Sequence, residues 1–539
     1  MISKVYSAIP YGYDGEIIEV EGSMNNGLPA FNIVGMANKT ISEARERVRS
    51  AISNSSLIFP TKKVTINLAP AELTKNGSHL DLPIAIATLV LAQQILPNDL
   101  NQRLFVGELS LDGLIRPVRG IINIIETAKR ANFKEVYLPV DNLNQANLVP
   151  GIRLIGVSSL QELLLNLKGI INHQRVTVNF TTPKLNAQTP PKTKPPSPCL
   201  DDIKGQSLAK RALTIAIAGH HNILFSGPPG AGKTLLAKAA ANLLPDPTPE
   251  EAIAIAKIHS LQNIALPPKI EHPFRSPHHT ASHISIIGGG AHASPGEITL
   301  AHHGILFLDE LPEFSRTVLE ALRQPLEDKT ITITRANQRI TYPADFMLIA
   351  TMNPCPCGHL NDPSHECTCT QTQISHYRQK ISGPILDRID LTLNVDRVHT
   401  SDLLSQTSVV DNTKTDLHRK TPQYSKNVVI KTTTDEYMTS EHTVVKNNIT
   451  SAIQIQSRRY RQTGLYNSSL SPHDISSYIH LTSNATRLLQ TAAEKLKLSA
   501  RSYFKIIKVA QTIADLDAKT EVNAEHISES IALREQLNH

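Results

Sequence analysis

Apolar and polar positions divide the chain into alternating strand-like and helix-like stretches. VTINLAP (64–70) alternates as a half-buried strand does, and SEARERVRSAI (42–52) places Ala44, Val48 and Ala51 on one helical face. LPIAIATLVLA (82–92) is apolar throughout and too short to cross a bilayer, so it predicts a buried helix. IINIIETAKRA (121–131) predicts another helix and VYLP (136–139) a strand after it. Between 201 and 400, short apolar strands (ILF at 223, ILFL at 305, FMLIA at 346, LTLNV at 391) alternate with helices. That order predicts a mostly parallel sheet covered on both faces. KTITITRANQRITYP (329–343) alternates Thr with Ile, turns at Ala-Asn-Gln and returns, which predicts a β-hairpin. Residues 446–539 are helical in period and include SARSYFKIIKVAQTIADL (499–516).

Two stretches have little or no period. TTPKLNAQTPPKTKPPSP (181–198) is rich in Pro, Thr and Lys and reads as an extended tether within a linker at 176–200. Residues 401–445 are polar and Thr/Ser-rich, which predicts a loose insertion. The expected division is an α/β domain at 1–175, the linker, an α/β core at 201–400, the insertion, and a helical domain at 446–539.

Composition narrows the class. With 40% apolar and 19% charged residues, the 539-residue chain suits a soluble multidomain protein. A net charge of +6 admits nucleic acid as a partner. The absence of Trp and only 4% aromatics argue against base stacking as the binding mode. The N-terminal residues lack an apolar signal region, so the expected location is cytoplasmic, with no membrane partner.

GPPGAGKT (227–234) matches the full phosphate-loop pattern between a strand (ILFS) and a helix (LLAKAAANLL). The candidate ATP-binding set is Gly227, Pro228, Pro229, Gly230, Ala231, Gly232, Lys233, Thr234 and Leu235. Its glycines let backbone N–H groups face phosphate oxygens, Lys233 brings charge to the β/γ-phosphates, and the Thr234 hydroxyl serves Mg²⁺. ILFLDE (305–310) ends a buried strand on Asp309, a Mg²⁺ candidate, and Glu310, which would orient the attacking water. FMLIATMNP (346–354) ends another strand near Asn353, whose amide suits a γ-phosphate or water contact.

Four of the five cysteines lie in CPCGHLNDPSHECTC (355–369). Cys355, Cys357, Cys367 and Cys369 form C-x-C, nine residues, C-x-C, which suits one tetrahedral Zn²⁺; His359 and His365 are alternative ligands. Two disulfides, disfavoured in a cytosol, and free thiols are the alternatives. The loop falls between Asn353 and the motif ILDRID, which carries Arg388.

The phosphate loop, LDE, ATMNP and GPILDRIDL, in this order, resemble AAA+ ATPases of the magnesium-chelatase/MCM branch. FRSPHHTASHISIIGGG (274–290), NPCPCG and LSARSYFKIIKVAQTIADL resemble the YifB/ComM group of Mg-chelatase-like proteins more closely. The resemblance implies an AAA+ core with a C-terminal helical lid, hydrolysis of ATP with Mg²⁺, a hexameric ring, and a DNA motor acting in branch migration during natural transformation. The alternatives are a magnesium-chelatase-type or chaperone-like ATPase acting on a protein. It implies that Arg388 is an arginine finger reaching a neighbour's γ-phosphate and Arg501 a sensor-2 arginine. It places a pore hairpin at 329–343, with Arg335, Asn337 and Arg339 as candidate DNA contacts, and a second pore loop at Gly288–Gly290. The seven His of 272–303, His278, His279, His302 and His303 among them, read as hydrogen-bonding groups near the nucleotide and subunit interface rather than as a metal site.

NGSHLDLPIAIATLVLA (76–92) and GELSLDGLIRPVRGI (107–121) resemble the Lon protease domain. The position of its serine nucleophile falls on His79, beside Ser78, and that of its lysine on Ile122, so peptidase activity is not expected. Lys39, Arg45, Arg47 and Arg49 read as a solvated face, with phosphate binding as the sharper alternative.

Overall fold

The computed structural model describes residues 2–35, 39–73, 75, 78–170, 198–262, 264, 267, 269–290, 293–335, 338–360, 362, 365–397 and 440–534, with backbone only at 39–42, 335 and 338. The expected linker therefore lies outside the described residues except for 198–200, and the expected insertion except for 440–445.

The first sheet uses β1 (Ile2–Tyr11), β2 (Asp14–Asn25), β3 (Ala30–Val34), β4 (Lys63–Ala69) and β5 (Arg103–Phe105). A short hairpin of β6 (Glu108–Leu109) and β7 (Ile115–Arg116) precedes its last strands, β8 (Glu135–Pro139) and β9 (Arg153–Val157). The order is β3-β4-β2-β1-β5-β8-β9. β1 and β2 pair antiparallel, Ile2 opposite Ser23 and Tyr11 opposite Asp14. The apolar stretch expected to be a buried helix is Asp81–Leu91, buried at every position. Its lack of a polar stripe reflects its place in the middle of the domain core.

The second sheet uses β10 (Ile223–Ser226), β11 (Phe274–Arg275), β14 (Ile305–Leu308), β17 (Met347–Met352) and β18 (Leu391–Asn394), ordered β11-β14-β17-β10-β18 and parallel throughout. Between them run two small ribbons: β12 (Gly288–Gly289) with β13 (Ser294–Pro295), and β15 (Thr330–Arg335) with β16 (Gln338–Pro343). Every residue of β10, β14 and β17 is buried, which is why these strands read as unbroken apolar runs.

Five helices, Glu441–Tyr460, Pro472–Tyr478, Ser483–Lys495, Ala500–Leu516 and Ala524–Ala532, make up the C-terminal part among the described residues. The first begins at Glu441, which corrects the expected boundary at 446. Its opening turns (EHTVVKNN) are polar because that end packs only in part, so they lack the apolar period that marks the rest. No helix among the described residues is long and apolar enough to cross a membrane.

The first domain docks directly on the domain of the second sheet. Helix Pro249–Leu261 sends Lys257, 4% exposed, between Glu126 (2.6 Å) and Asp14 (3.1 Å), its ammonium 3.9 Å from the Tyr13 ring centre. Ala256 of the same helix lies within the core of the first domain, and the Gly120 N–H donates to Ser260 O.

Candidate active site

Parallel strands place their C-terminal ends on one edge of the sheet, where α/β folds bind ligands. Here that edge collects the phosphate loop after β10, Asp309 and Glu310 after β14, and Asn353 after β17. Gly230 (φ +79°) and Gly232 (φ +84°) take left-handed conformations with nothing nearby, and Gly232 opens helix Lys233–Leu243. Gly227 is required by close approach, since a Cβ there would lie 2.2 Å from Val395 O.

Lys233 is 8% exposed. Its ammonium donates to Gly227 O, to Pro228 O (3.0 Å) and to Asn353 Oδ1 (3.2 Å). Burial pushes its pKa down to about 8, partly opposed by the charges of Asp309 and Glu310. Thr234 Oγ1 donates to Asp309 Oδ2 at 3.2 Å. These hard oxygen donors suit Mg²⁺, which would replace the hydrogen bond between them. Glu310 has φ +56°, a strained conformation for a residue with a side chain, held by its N–H on Thr351 Oγ1 (3.0 Å). Thr351 also donates to Asp309, so one hydroxyl fixes both acids.

Thr351, Gln206 and Tyr377 were not singled out in the sequence. Gln206 Nε2 donates to Ala231 O (3.1 Å) and Asp396 O (2.6 Å), fastening the phosphate loop to the strand beside it. The Tyr377 hydroxyl, its pKa pushed up to about 12 by burial, accepts the Asn353 N–H. Thr351 stands inside ATMNP, where its place two residues before Asn353 was a usable signal; Gln206 and Tyr377 carried none, since their partners are distant in sequence.

Arg388 and Arg501 are on the opposite edge. Asn222, which precedes β10, donates from Nδ2 to Arg388 O (3.0 Å), whereas the phosphate loop follows β10. A four-residue strand separates them by ~13 Å. The two guanidiniums converge on one carboxylate: Glu327 accepts from Arg388 and, at 2.5 Å, from Arg501. Lys505 and Lys508 line the same 540 Å³ cavity. Half-buried Asp390 anchors this edge, held well below the usual carboxylate range by Lys505 (3.0 Å) and His221 (3.5 Å).

The four cysteines meet. Cys355 Sγ is 3.4 Å from Cys357 Sγ and 3.7 Å from Cys367 Sγ, and Cys357 and Cys367 are 3.6 Å apart. The Cys357 N–H donates to Cys369 Sγ at 3.4 Å. His359 and His365 do not join them. They gather around buried Asp362 (3.1 and 3.7 Å), with Arg397 already paired to it at 3.2 Å.

The hairpin turns Ile331, Ile333, Ile340 and Tyr342 into the core and leaves Arg339 exposed. Arg335 ends β15, and Asn337 lies outside the described residues. Gly288 and Gly289 form the β12 strand, paired with Pro295 and Ser294. The His302 and His303 rings lie 3.9 Å apart at a tilt of 36°, His302 buried with its pKa pushed down to about 3. Desolvation of that size leaves it neutral, and Nδ1 accepts the Asp345 N–H. In the first domain, Ile122 is core, Ser78 donates to Glu108, and the His79 ring lies 3.0 Å from Arg119 O. Lys75 donates to Pro70 O and Leu73 O. No lysine among the described residues hydrogen-bonds to the Ser78 hydroxyl, which donates to Glu108. Arg47 pairs with buried Asp81 (2.8 Å) and Arg45 with Glu46, so this basic helix is already engaged in part. The Lys39 side chain lies outside the described residues.

Family models described as magnesium chelatase, subunit ChlI, match residues 199–403; subunit ChlI of Mg-chelatase, residues 20–142; and magnesium chelatase, subunit ChlI C-terminal, residues 439–534. The chain is 39% identical over 535 residues to the competence protein ComM of Haemophilus influenzae, covering 99% of this chain and 97% of that one. It is 38% identical over 539 residues to the uncharacterized protein YifB of Escherichia coli, again covering 99% and 97%. The magnesium-chelatase 67 kDa subunit of Chlorobaculum parvum is 25% identical over 157 residues, 28% of this chain and 23% of that one.

Proposed function

The chain belongs to the YifB/ComM family of Mg-chelatase-like AAA+ proteins, and from that membership we propose that it is an ATP-driven, ring-forming DNA motor. Its substrate in this reading is branched DNA arising in recombination during natural transformation. Family membership points to ATPase activity with ATP and Mg²⁺ as cofactors. The observation that carries the ring is the separation of the phosphate loop from Arg388 and Arg501 by the length of β10. A γ-phosphate held at one edge meets these arginines only when a second copy presents its opposite edge. The competence role in the name of the Haemophilus relative and the net charge of +6 support DNA as the substrate.

In this mechanism Lys233 and the loop amides bind the phosphates, and Thr234 with Asp309 would hold Mg²⁺, which when bound neutralises phosphate charge. Glu310 orients the attacking water, and Asn353, already bonded to Lys233, senses the γ-phosphate. The neighbour's Arg388 and Arg501 meet charge developing on the γ-phosphate, an effect worth ~10³-fold or more in P-loop enzymes. The hairpin at 329–343, with Arg339 exposed, faces DNA phosphates in the ring channel. The first domain, read as a Lon-like fold without the catalytic dyad, supports assembly rather than proteolysis. The four cysteines hold one Zn²⁺, and the protein is cytoplasmic.

The test is ATP-dependent migration of a synthetic Holliday junction. Wild type should convert it, and Lys233→Ala and Glu310→Gln should not; an ATPase indifferent to every DNA would overturn the reading. The magnesium-chelatase family models favour one other reading, a motor that remodels a protein partner, and such an ATPase would respond to that partner instead.

A further inference from the structure

The cysteine loop is built against the nucleotide pocket. Its sulfurs stand 3.4, 3.6 and 3.7 Å apart. A disulfide would require ~2.05 Å. Four thiolates at ~2.3 Å from one Zn²⁺ form a tetrahedron with edges of about 3.8 Å. The observed spacings are close to that edge, and all four sulfurs lie within 4.8 Å of one another.

The loop touches the phosphate loop. It leaves β17 through Asn353, the residue bonded to Lys233, and turns at Cys355 with the Gly358 N–H on Cys355 O (3.0 Å). Gly358 has φ +85° and sits so close to Pro229 that a Cβ there would lie 2.8 Å from Pro229 Cδ. On the loop's far side Asp362 pairs with Arg397. That arginine follows Val395 and Asp396, whose carbonyls crowd Gly227 and hold Gln206. The phosphate loop is thus walled by the cysteine loop at Pro229 and by a strand tied to the cysteine loop at Gly227. Apart from its cysteines, residues 355–369 contain a single large apolar residue, Leu360, so apolar burial contributes little to holding this wall in place. A bound metal can supply that organisation.

We propose that the tetrathiolate Zn²⁺ centre is a structural wall of the ATP pocket, and that its occupancy sets ATP affinity through the contact of Gly358 with Pro229. This rests on the zinc reading above. The His359, Asp362 and His365 group is no second metal site in this proposal, because the Arg397 guanidinium already fills the position a cation would take.

The experiment uses the full-length protein. Zinc content is measured by mass spectrometry, and binding of a fluorescent ATP analogue is followed before zinc removal with a zinc-selective chelator, after it, and after readdition of Zn²⁺ or Mg²⁺. One zinc per chain is expected, with ATP affinity falling about tenfold or more on removal and returning with Zn²⁺ but not with Mg²⁺. Gly358→Ala should keep its zinc yet lose about tenfold in ATP affinity, since an alanine is strained at φ +85° and its methyl overpacks Pro229. If Cys367→Ser with Cys369→Ser fails to fold, the chelation series and Gly358→Ala still decide the matter. No zinc in protein purified without chelator would overturn the zinc reading. Zinc present, with affinity unchanged by its removal and by Gly358→Ala, would overturn the coupling alone.

Discussion

Raising the pH should weaken ATP binding in a window set by Lys233. Its ammonium is buried among neutral acceptors, Gly227 O, Pro228 O and Asn353 Oδ1, and burial brings its pKa down to about 8. A phosphate arriving at the loop favours the charged form, so the bound state restores a higher pKa. Affinity is therefore full below pH 8 and is lost as pH rises from the pKa of the free protein toward that of the complex. The loss follows the deprotonated fraction, about tenfold at pH 9 and about thirtyfold at pH 9.5, or ~1.36 kcal/mol per pH unit. Titration of a non-hydrolysable ATP analogue between pH 7.5 and 9.5 measures it. Lys233→Arg is the control, because a guanidinium keeps its charge throughout. A dissociation constant that stays flat in wild type, or an equal slope in Lys233→Arg, would refute the reasoning.

Two other outcomes follow from contacts distant in sequence. Glu327→Ala frees Arg388 and Arg501 to repel each other. Glu327 and Arg501 are each 46% exposed, so stability should change by under about 1 kcal/mol. ATP turnover should nonetheless fall with KM unchanged, and the loss should vanish in an Arg388→Ala background; turnover equal to wild type would remove Glu327 from the arginine pair. Lys257→Met breaks a buried cation between partly exposed acids, for about 1–3 kcal/mol after screening. Denaturant unfolding should then resolve the first domain from the core as a separate transition, where wild type unfolds with the two coupled.

The local chemistry was legible because each motif is contiguous. GPPGAGKT, LDE and ATMNP carry strand, turn and catalytic group within a few residues, and the parallel order of apolar runs brings their ends to one edge. The alternation at 329–343 likewise specified the hairpin pairing, Thr330 opposite Pro343. The pairing of Gly288 and Gly289 was not legible, because whether a glycine run pairs as a strand depends on what packs beside it. Here Ser294 and Pro295 supply the partner. The start of the helix at Glu441 was hidden for a related reason: its first turns are mostly polar and exposed, with Val445 alone reaching the core there.

By itself the sequence determined the phosphate-loop motif, the parallel core, the cysteine spacing and the family, since those depend on residue type at short separations. Only the tertiary structure decided what these parts touch. It brought Glu327 to Arg388 across 61 positions and to Arg501 across 174, which no periodicity encodes. It set Gly358 on Pro229, and it docked the first domain on the core through Lys257, where the proline-rich tether had read as a separator. Such contacts arise when whole elements pack together, and packing is settled by the fit of surfaces assembled from every part of the chain.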